Sequence, residues 1–259
     1  MIPSPRIVHL LATLAICFGL ASVVEASRFA VIDTTDGPIV LELDEKKAPI
    51  SVANFARYAE DGYYDNTVFH RVIPDFMIQG GGFDHHGNYP QGIHDKSAHG
   101  GIREPIKNEW ENGLKNTRGS IAMARLGGQA DSATSQFFIN LKDNGFLDQP
   151  RDGAGYAVFG KVISGMDVVD EIAGVQTVSV GRMANVPARE VLIKTVKMLS
   201  RADAMAYATR AEVTAAEARL ESARKALADA EQAVREAEAA CEEARKKAAD
   251  LPASTGGKP

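Results

Sequence analysis

A chain of 259 residues is long enough for one large β domain, or for one domain with an extension. Its apolar and charged fractions, 45% and 24%, are those of an ordinary soluble globular protein. A net charge of −5 with no basic block leaves nucleic-acid binding without an electrostatic footprint.

Residues 1–26 read as a secretory signal peptide. Arg6 supplies a positive start, and the run Ile7 to Val24 holds no Asp, Glu, Lys or Arg. Val24-Glu25-Ala26 fits the small-residue cleavage rule, with the cut after Ala26. The competing readings are an uncleaved membrane anchor and a lipoprotein signal at Cys17, where Ile16 is too large for the residue before a modified cysteine. Cleavage leaves no membrane span and Cys241 as the single thiol, either free or paired between chains.

Residues 27–199 read as one β-rich domain. Phe29 to Thr35 is a strand, Asp36-Gly37-Pro38 a turn and Ile39 to Leu43 the returning strand. Pro49 to Tyr58 is helical. Val52, Phe55, Ala56 and Ala59 share a face, Pro49 suits a first turn, and Gly62 ends it. Short β segments follow at 67–73, 76–79, 120–124, 136–141 and 157–162. A second short helix spans 166–173 and a last strand 191–199. Residues 84–104 form a long polar loop rich in Gly and His.

Beyond Ser200 the composition becomes Ala-rich, with Glu, Lys and Arg between and no Gly or Pro before Pro252, which is long-helix composition. Ser200 and Asp203 resemble a capping box. Val213, Leu220, Leu227, Val234, Cys241 and Ala248 recur every seven residues. Ala216, Ala223, Ala230, Ala237, Ala244 and Leu251 repeat three residues on, so the two rows occupy heptad a and d positions. Glu221–Lys225, Glu231–Arg235 and Glu242–Lys246 are favourable i,i+4 pairs. A helix over this stretch is roughly 70 Å long, too long to lie wholly on one compact domain. Three readings stay open for residues 200–250: a coiled-coil oligomer, a solvated single helix, or a helix packed on its own domain. Residues 251–259 read as a disordered tail.

The chemistry of the domain is narrow. His85, His86, His94 and His99 fit no common zinc spacing and read as a solvated loop, so no metal is expected. No Ser or Thr sits in a nucleophile elbow. Gly80-Gly81-Gly82 is neither a dinucleotide nor a Walker A loop, and reads as a tight bend or close backbone approach. What remains is an apolar, aromatic set with a few polar groups. Phe76, Met77, Phe138, Phe146 and Leu147 are candidates to line a pocket, with Arg71, Gln79 and Gln136 on its rim. Arg71 has a plainer alternative, an ion pair with Asp75 or Glu109. A site of this kind holds no covalent tool and needs no cofactor. It suits a reaction that requires only shape and a hydrogen bond.

Phe69-His70-Arg71-Val72-Ile73-Pro74 followed by Phe76-Met77-Ile78-Gln79-Gly80-Gly81 resembles the signature of the cyclophilins, which are peptidyl-prolyl cis–trans isomerases. Ser135 to Ile139, Phe146-Leu147-Asp148 and Val158 to Val162 resemble further motifs of that family, in order, over residues 29–199. Asn116 to Arg125 and Gly155 to Phe159 look most like its bacterial exported branch. The resemblance implies a mainly β fold: a closed eight-stranded antiparallel barrel capped by two helices, with the peptide in a groove outside. It assigns catalysis to Arg71, the proline pocket to Phe76, Met77, Phe138 and Leu147, peptide contacts to Gln79 and Gln136, and a groove position to Ala124. Three positions depart from the animal cyclophilins. Phe146 replaces a Trp, a change that usually weakens binding of the fungal cyclic-peptide inhibitor. Arg125 replaces an Asn whose backbone meets the peptide, a contact that can survive the change, and Tyr156 replaces a His at the groove edge. The implied partners are proline-containing peptides and unfolded secreted proteins in the periplasm or cell envelope, with a homo-oligomer or another helix at 200–250. Two competing classes are a proline-peptide binding module or chaperone, and a coiled-coil scaffold.

Overall fold

The computed structural model of the chain describes residues 27–249. The expected signal peptide, Cys17 and the expected tail lie outside the described residues. Strand β1 (Ser27–Thr34) turns tightly into β2 (Gly37–Asp44), and α1 (Pro49–Glu60) follows. Next come β3 (Thr67–Val68), β4 (Arg71–Ile73), β5 (Met77–Gly80), β6 (Phe83–His85), β7 (Ile93–Asp95), β8 (Ser120–Met123), β9 (Phe137–Asn140) and β10 (Val158–Ser164). Helix α2 (Met166–Ala173), β11 (Thr177–Val180), β12 (Met183–Pro187), β13 (Leu192–Leu199) and α3 (Arg201–Ala249) complete the order.

Nine strands form one antiparallel sheet in the order β3-β13-β1-β2-β10-β8-β9-β5-β4. The expectation of a closed eight-stranded barrel is corrected here. The sheet is a curled half-barrel, and no ladder joins its edges β3 and β4 among the described residues. The reason lies in segment 67–73, expected as one strand. Phe69 donates its N–H to Val191 O at 3.0 Å and His70 donates to Gln79 O at 3.1 Å. The chain thus changes partner between adjacent residues, and one segment supplies both edges of the sheet.

Strand alternation sorts side chains onto two faces. Ile39, Leu41, Leu43, Val72, Ile78, Ile121, Phe137, Ile139 and Phe159 point inward. Phe55 and Tyr58 of α1, and Val169 and Ile172 of α2, fill the same core, so both expected helices pack on the curl. Glu109 takes the open N-terminus of α1, accepting from Ile50 N at 3.0 Å and Ser51 N at 2.8 Å.

Two hairpins fall outside the sequence reading. Strands β6 and β7 pair inside the region expected as polar loop, and β11 pairs with β12. His85 is tied to Glu190 at 2.5 Å, whereas His86 is largely exposed and stacks on His94. Among the described residues no group of three or more His, Cys, Asp or Glu side chains is placed to hold a metal ion, and no helix is long and apolar enough to cross a membrane.

Helix α3 begins with the expected cap: Ser200 Oγ accepts from Asp203 N at 3.2 Å and donates to Asp203 Oδ2 at 2.7 Å. Its first turns pack on the outer face of β1 and β2, where Ala204 and Tyr207 meet Phe29, Val31 and Val40. Arg219 reaches Asp167 of α2 at 3.3 Å. Beyond that point the helix stands away from the domain, and its heptad residues Leu220, Leu227 and Val234 are 53%, 61% and 57% exposed. The packed-helix reading therefore holds for the beginning of α3 alone.

Candidate active site

The site is built by register. Arg71 lies opposite Gln79, Gln79 opposite Phe138, Phe138 opposite Ala122, and Ala122 opposite Val158. One row of side chains thus crosses five strands on the outer face. A second row on the same face pairs Ile73 with Met77 and Met77 with Asn140. The intervening residues Val72, Ile78, Ile139 and Ile121 belong to the core. A one-residue slip at β5 would send Gln79 and Met77 inward, and the buried row holds the register against that.

Pro74-Asp75 makes the turn between β4 and β5. Phe76 N donates to Ile73 O at 3.1 Å, and Asp75 adopts φ 56°. This is the turn in which Pro favours the second position and the third takes positive φ, a conformation Asp tolerates. The turn delivers Phe76 to the groove, where Phe146 stacks on it at 5.7 Å between ring centres.

Arg71, Phe76, Met77, Gln79, Ala124, Arg125, Phe138, Leu147 and Tyr156 line one cavity of about 350 Å³. Gln136 lies in an adjoining cavity of about 470 Å³ that shares Gln79, Ala124 and Arg125 with the first. The structure thus brings together every site residue expected from the sequence, with one difference of degree. Phe146 is 44% exposed and backs Phe76 without lining the cavity.

Arg71 is part-buried, and its Nη1 donates to Gln79 Oε1 at 3.2 Å. Gln79 Nε2 donates in turn to Gln136 Oε1 at 2.9 Å. No ion pair among the described residues involves Arg71, and Glu109 is occupied at α1. The plainer alternative for Arg71 is therefore absent. Burial draws the guanidinium below its ordinary range, and it remains a cation at neutral pH.

The glycines make room for this chain of donors. A Cβ at Gly82 would stand 2.4 Å from Gln136 Cγ. Gly81 has φ 82°, and a Cβ there would meet the Phe137 ring at 2.9 Å.

The peptide contact expected of Arg125 is one of its backbone, and its side chain has a separate task. Its side chain is 1% exposed and turns into its own wall. Nη2 donates to Asp152 Oδ1 at 2.7 Å and Ala154 O at 2.5 Å, Nε donates to Gly155 O at 3.2 Å, and the guanidinium lies 4.6 Å from the centre of the Tyr156 ring. Arg125 therefore positions Tyr156, which meets Phe138 edge-on at 5.7 Å.

Sequence reasoning missed a buried polar support beneath the pocket. Asn116 Nδ2 donates to Asp148 Oδ1 at 2.9 Å, and Asn140 Nδ2 donates to Asn116 Oδ1 at 3.1 Å. Asn144 Nδ2 donates to Asn140 Oδ1 and to Phe76 O, both at 2.8 Å. This network fixes the short 3-10 turn Gly145–Asp148 and with it Leu147. Its signal in the sequence is three Asn residues, 116, 140 and 144, beside short β segments that otherwise read as apolar.

His70, beside Arg71 in the chain, faces away from the groove and packs against Phe83, tilted by 42° with ring centres 4.4 Å apart. Burial pushes its pKa down to about 3, so it sits neutral and takes no part in the site. The cavity lining holds no Asp, Glu or His.

Residues 29–198 match the model of the cyclophilin type peptidyl-prolyl cis-trans isomerase family. Peptidyl-prolyl cis-trans isomerase A of Dickeya dadantii is 47% identical over 184 residues, covering 71% of this chain and 91% of the relative. The peptidyl-prolyl cis-trans isomerase of Acinetobacter baylyi is 51% identical over 175 residues, covering 68% and 87%. A crystal structure of the Cryptosporidium parvum cyclophilin type peptidyl-prolyl cis-trans isomerase superposes with a TM-score of 0.54 at 26% identity, covering 68% of this chain and 99% of that one. A second structure of that protein was obtained in the presence of the dipeptide Ala-Pro.

Proposed function

The chain belongs to the cyclophilin-type peptidyl-prolyl cis–trans isomerases, and we propose that it turns X–Pro bonds in exported proteins with Arg71 as the assisting donor. The observation that carries the mechanism is the placement of Arg71: one guanidinium, held by Gln79, at the mouth of the Phe76–Met77–Phe138–Leu147 pocket.

Amide resonance sets a barrier of about 18–20 kcal/mol to rotation, and the uncatalysed change takes on the order of 10–100 s at 25 °C. Twisting the bond breaks the resonance, so the proline nitrogen becomes pyramidal and regains a lone pair. A donor aimed at that nitrogen is used in the twisted state and hardly at all in the planar one, which is the condition for lowering a barrier. The apolar walls hold the ring while the preceding carbonyl turns. They also exclude water, which strengthens the charged hydrogen bond. Gln79 and Gln136 hold the peptide backbone, and Tyr156 and Ala124 border the groove. A 10⁶-fold acceleration needs about 8 kcal/mol, within reach of a charged donor combined with immobilisation and desolvation.

No bond is made or broken and no proton moves. With no titrating carboxylate or imidazole in the lining, kcat/KM is expected to be flat from pH 6 to 8. A bell-shaped profile centred near 7 would sink the mechanism. Replacing Arg71 by Ala should lower kcat/KM on an X–Pro peptide by roughly 10²–10³-fold, the usual cost of one transition-state donor. A variant as active as the wild type would overturn the role of Arg71.

Export rests on the N-terminal pattern of Arg6, the apolar run and Val24-Glu25-Ala26. It places the enzyme in the periplasm or cell envelope, acting on unfolded secreted chains. N-terminal sequencing of the protein recovered from the envelope tests this. The expected first residue is Ser27, and an N-terminus at Met1 would count against cleavage. The heptad rows and the exposed apolar stripe of α3 support a coiled-coil homo-oligomer.

A further inference from the structure

We infer that the free part of α3 pairs with the same stretch of a second copy in antiparallel orientation, with position 232 at the two-fold axis. This rests on the reading of 200–250 as a self-associating helix and adds its direction and register. The domain releases the helix at Arg219, and the helix runs on to Ala249. Val213, Leu220, Leu227 and Val234 are between 52% and 61% exposed and fall on one face, which makes them a stripe and not scattered single residues.

Side-chain volume sets the direction. The a row holds Leu220, Leu227, Val234 and Cys241, and the d row holds Ala223, Ala230, Ala237 and Ala244. In a parallel pair, a meets a and d meets d, so layers of two large side chains alternate with layers of two alanines. No single helix separation packs both kinds of layer well. In an antiparallel pair each layer combines one a residue with one d residue. Leu220 then faces Ala244 of the second copy, Leu227 faces Ala237, Val234 faces Ala230 and Cys241 faces Ala223. Every layer holds one large and one small side chain, and the helices stay evenly spaced.

Charge sets the same direction independently. Flanking residues choose partner and orientation in a coiled coil. In the antiparallel register Glu217 faces Arg245 of the second copy and Arg224 faces Glu238. Each of these pairs occurs twice, and Glu231 faces its own copy once. On the other edge Arg219 faces Lys247, but Arg219 already holds Asp167 at 3.3 Å and Lys247 holds Glu243 at 2.6 Å. Alanines 226, 233 and 240 fill the rest of that edge. The parallel register instead sets Glu212 against Glu217 and Arg219 against Arg224, each twice, with no opposite-charge pair to offset them.

Length agrees as well. In this register residue 249 lies opposite 215, so the partner helix ends within about one turn of Arg219, where the domain releases α3. The two domains lie at opposite ends, with their Arg219 residues roughly 39 Å apart along the axis. The two Cys241 residues are then about 27 Å apart along it, too far for a disulfide.

Thiol cross-linking of the full chain tests this, with Cys17→Ser in the background and sedimentation run on the same samples. The expected result is a reversible dimer in which Cys241 alone yields no covalent dimer on mild oxidation. Adding Ala223→Cys should convert most of the chain to a covalent dimer, with prolyl isomerisation unchanged as the check on folding. A dimer cross-linked through the native Cys241 alone overturns the antiparallel direction and leaves self-association standing. A dimer that cross-links in neither form overturns the register. A monomer at all concentrations overturns self-association itself.

Discussion

The outer face of the sheet and the outer half of α3 are both apolar stripes edged with charge, yet they are held in opposite ways. On the sheet each groove residue is fixed by a neighbour from another segment of the domain: Arg71 by Gln79, Gln79 by Gln136, Phe138 by Tyr156. On the helix beyond Arg219 the polar contacts among the described residues are local pairs, such as Glu231–Arg235 and Glu243–Lys247. A catalytic groove needs donors already in place, because organising them during the reaction would use up the stabilisation they provide. The surface proposed for self-association has no such need, since a partner would do the organising.

The contrast predicts an ordered set of effects. The largest is at Phe138, buried in the groove cluster. Phe138→Ala should cost about 3–5 kcal/mol in denaturant unfolding and most of the activity, and a loss below 1 kcal/mol would mean the groove is not packed as described. Next comes the polar support. Asn116→Ala removes one of the two hydrogen bonds to Asp148 Oδ1 and one of those made by Asn140, and should cost about 1–3 kcal/mol, with activity falling as Leu147 loosens. Full stability in that variant would show that the network is dispensable.

A further effect is tied to pH and is read as a slope. The folded pKa of His70, about 3, lies below the ordinary value near 6.5, so the unfolded chain binds the extra proton first. Its contribution is complete above pH 6.5 and is lost as pH falls from there towards 3. The wild type should lose up to about 1.4 kcal/mol per pH unit more steeply than His70→Gln in that window. Parallel curves would show that His70 titrates normally. The smallest effect is on the helix. Leu227→Ala should move unfolding of the β domain by less than about 0.5 kcal/mol and leave kcat/KM unchanged. A larger shift would mean the helix braces the domain, and the contrast would fail.

What could be read from the sequence follows the same division. Helix α2 falls at Met166–Ala173 and α3 at Arg201–Ala249, as their periodicity and composition indicate. The groove residues were legible through motifs, since Arg71, Gln79, Phe138 and Tyr156 stand at motif positions. Their shared row was not, because it depends on strands paired across more than fifty residues. The hairpin β6–β7 escaped because three-residue strands rich in His and Asp carry no alternation, and β11–β12 because only Val186 and Pro187 of its residues are buried. The break at Phe69–His70, which opens the expected barrel, is invisible because Thr67 to Ile73 carries no Gly, Pro or turn residue to mark a change of partner. The direction of the Arg125 side chain was not legible for a related reason: a sequence position at the groove does not say which way a long side chain turns.

The most direct measurement is exchange NMR on an X–Pro peptide with the wild type and Arg71→Ala, since it separates the rate of turnover on the enzyme from peptide affinity. The account predicts peptide affinity within a few-fold of wild type and on-enzyme exchange slower by roughly 10²-fold or more. Exchange that stays fast while affinity collapses would contradict it, because Arg71 would then hold the peptide without assisting the turn.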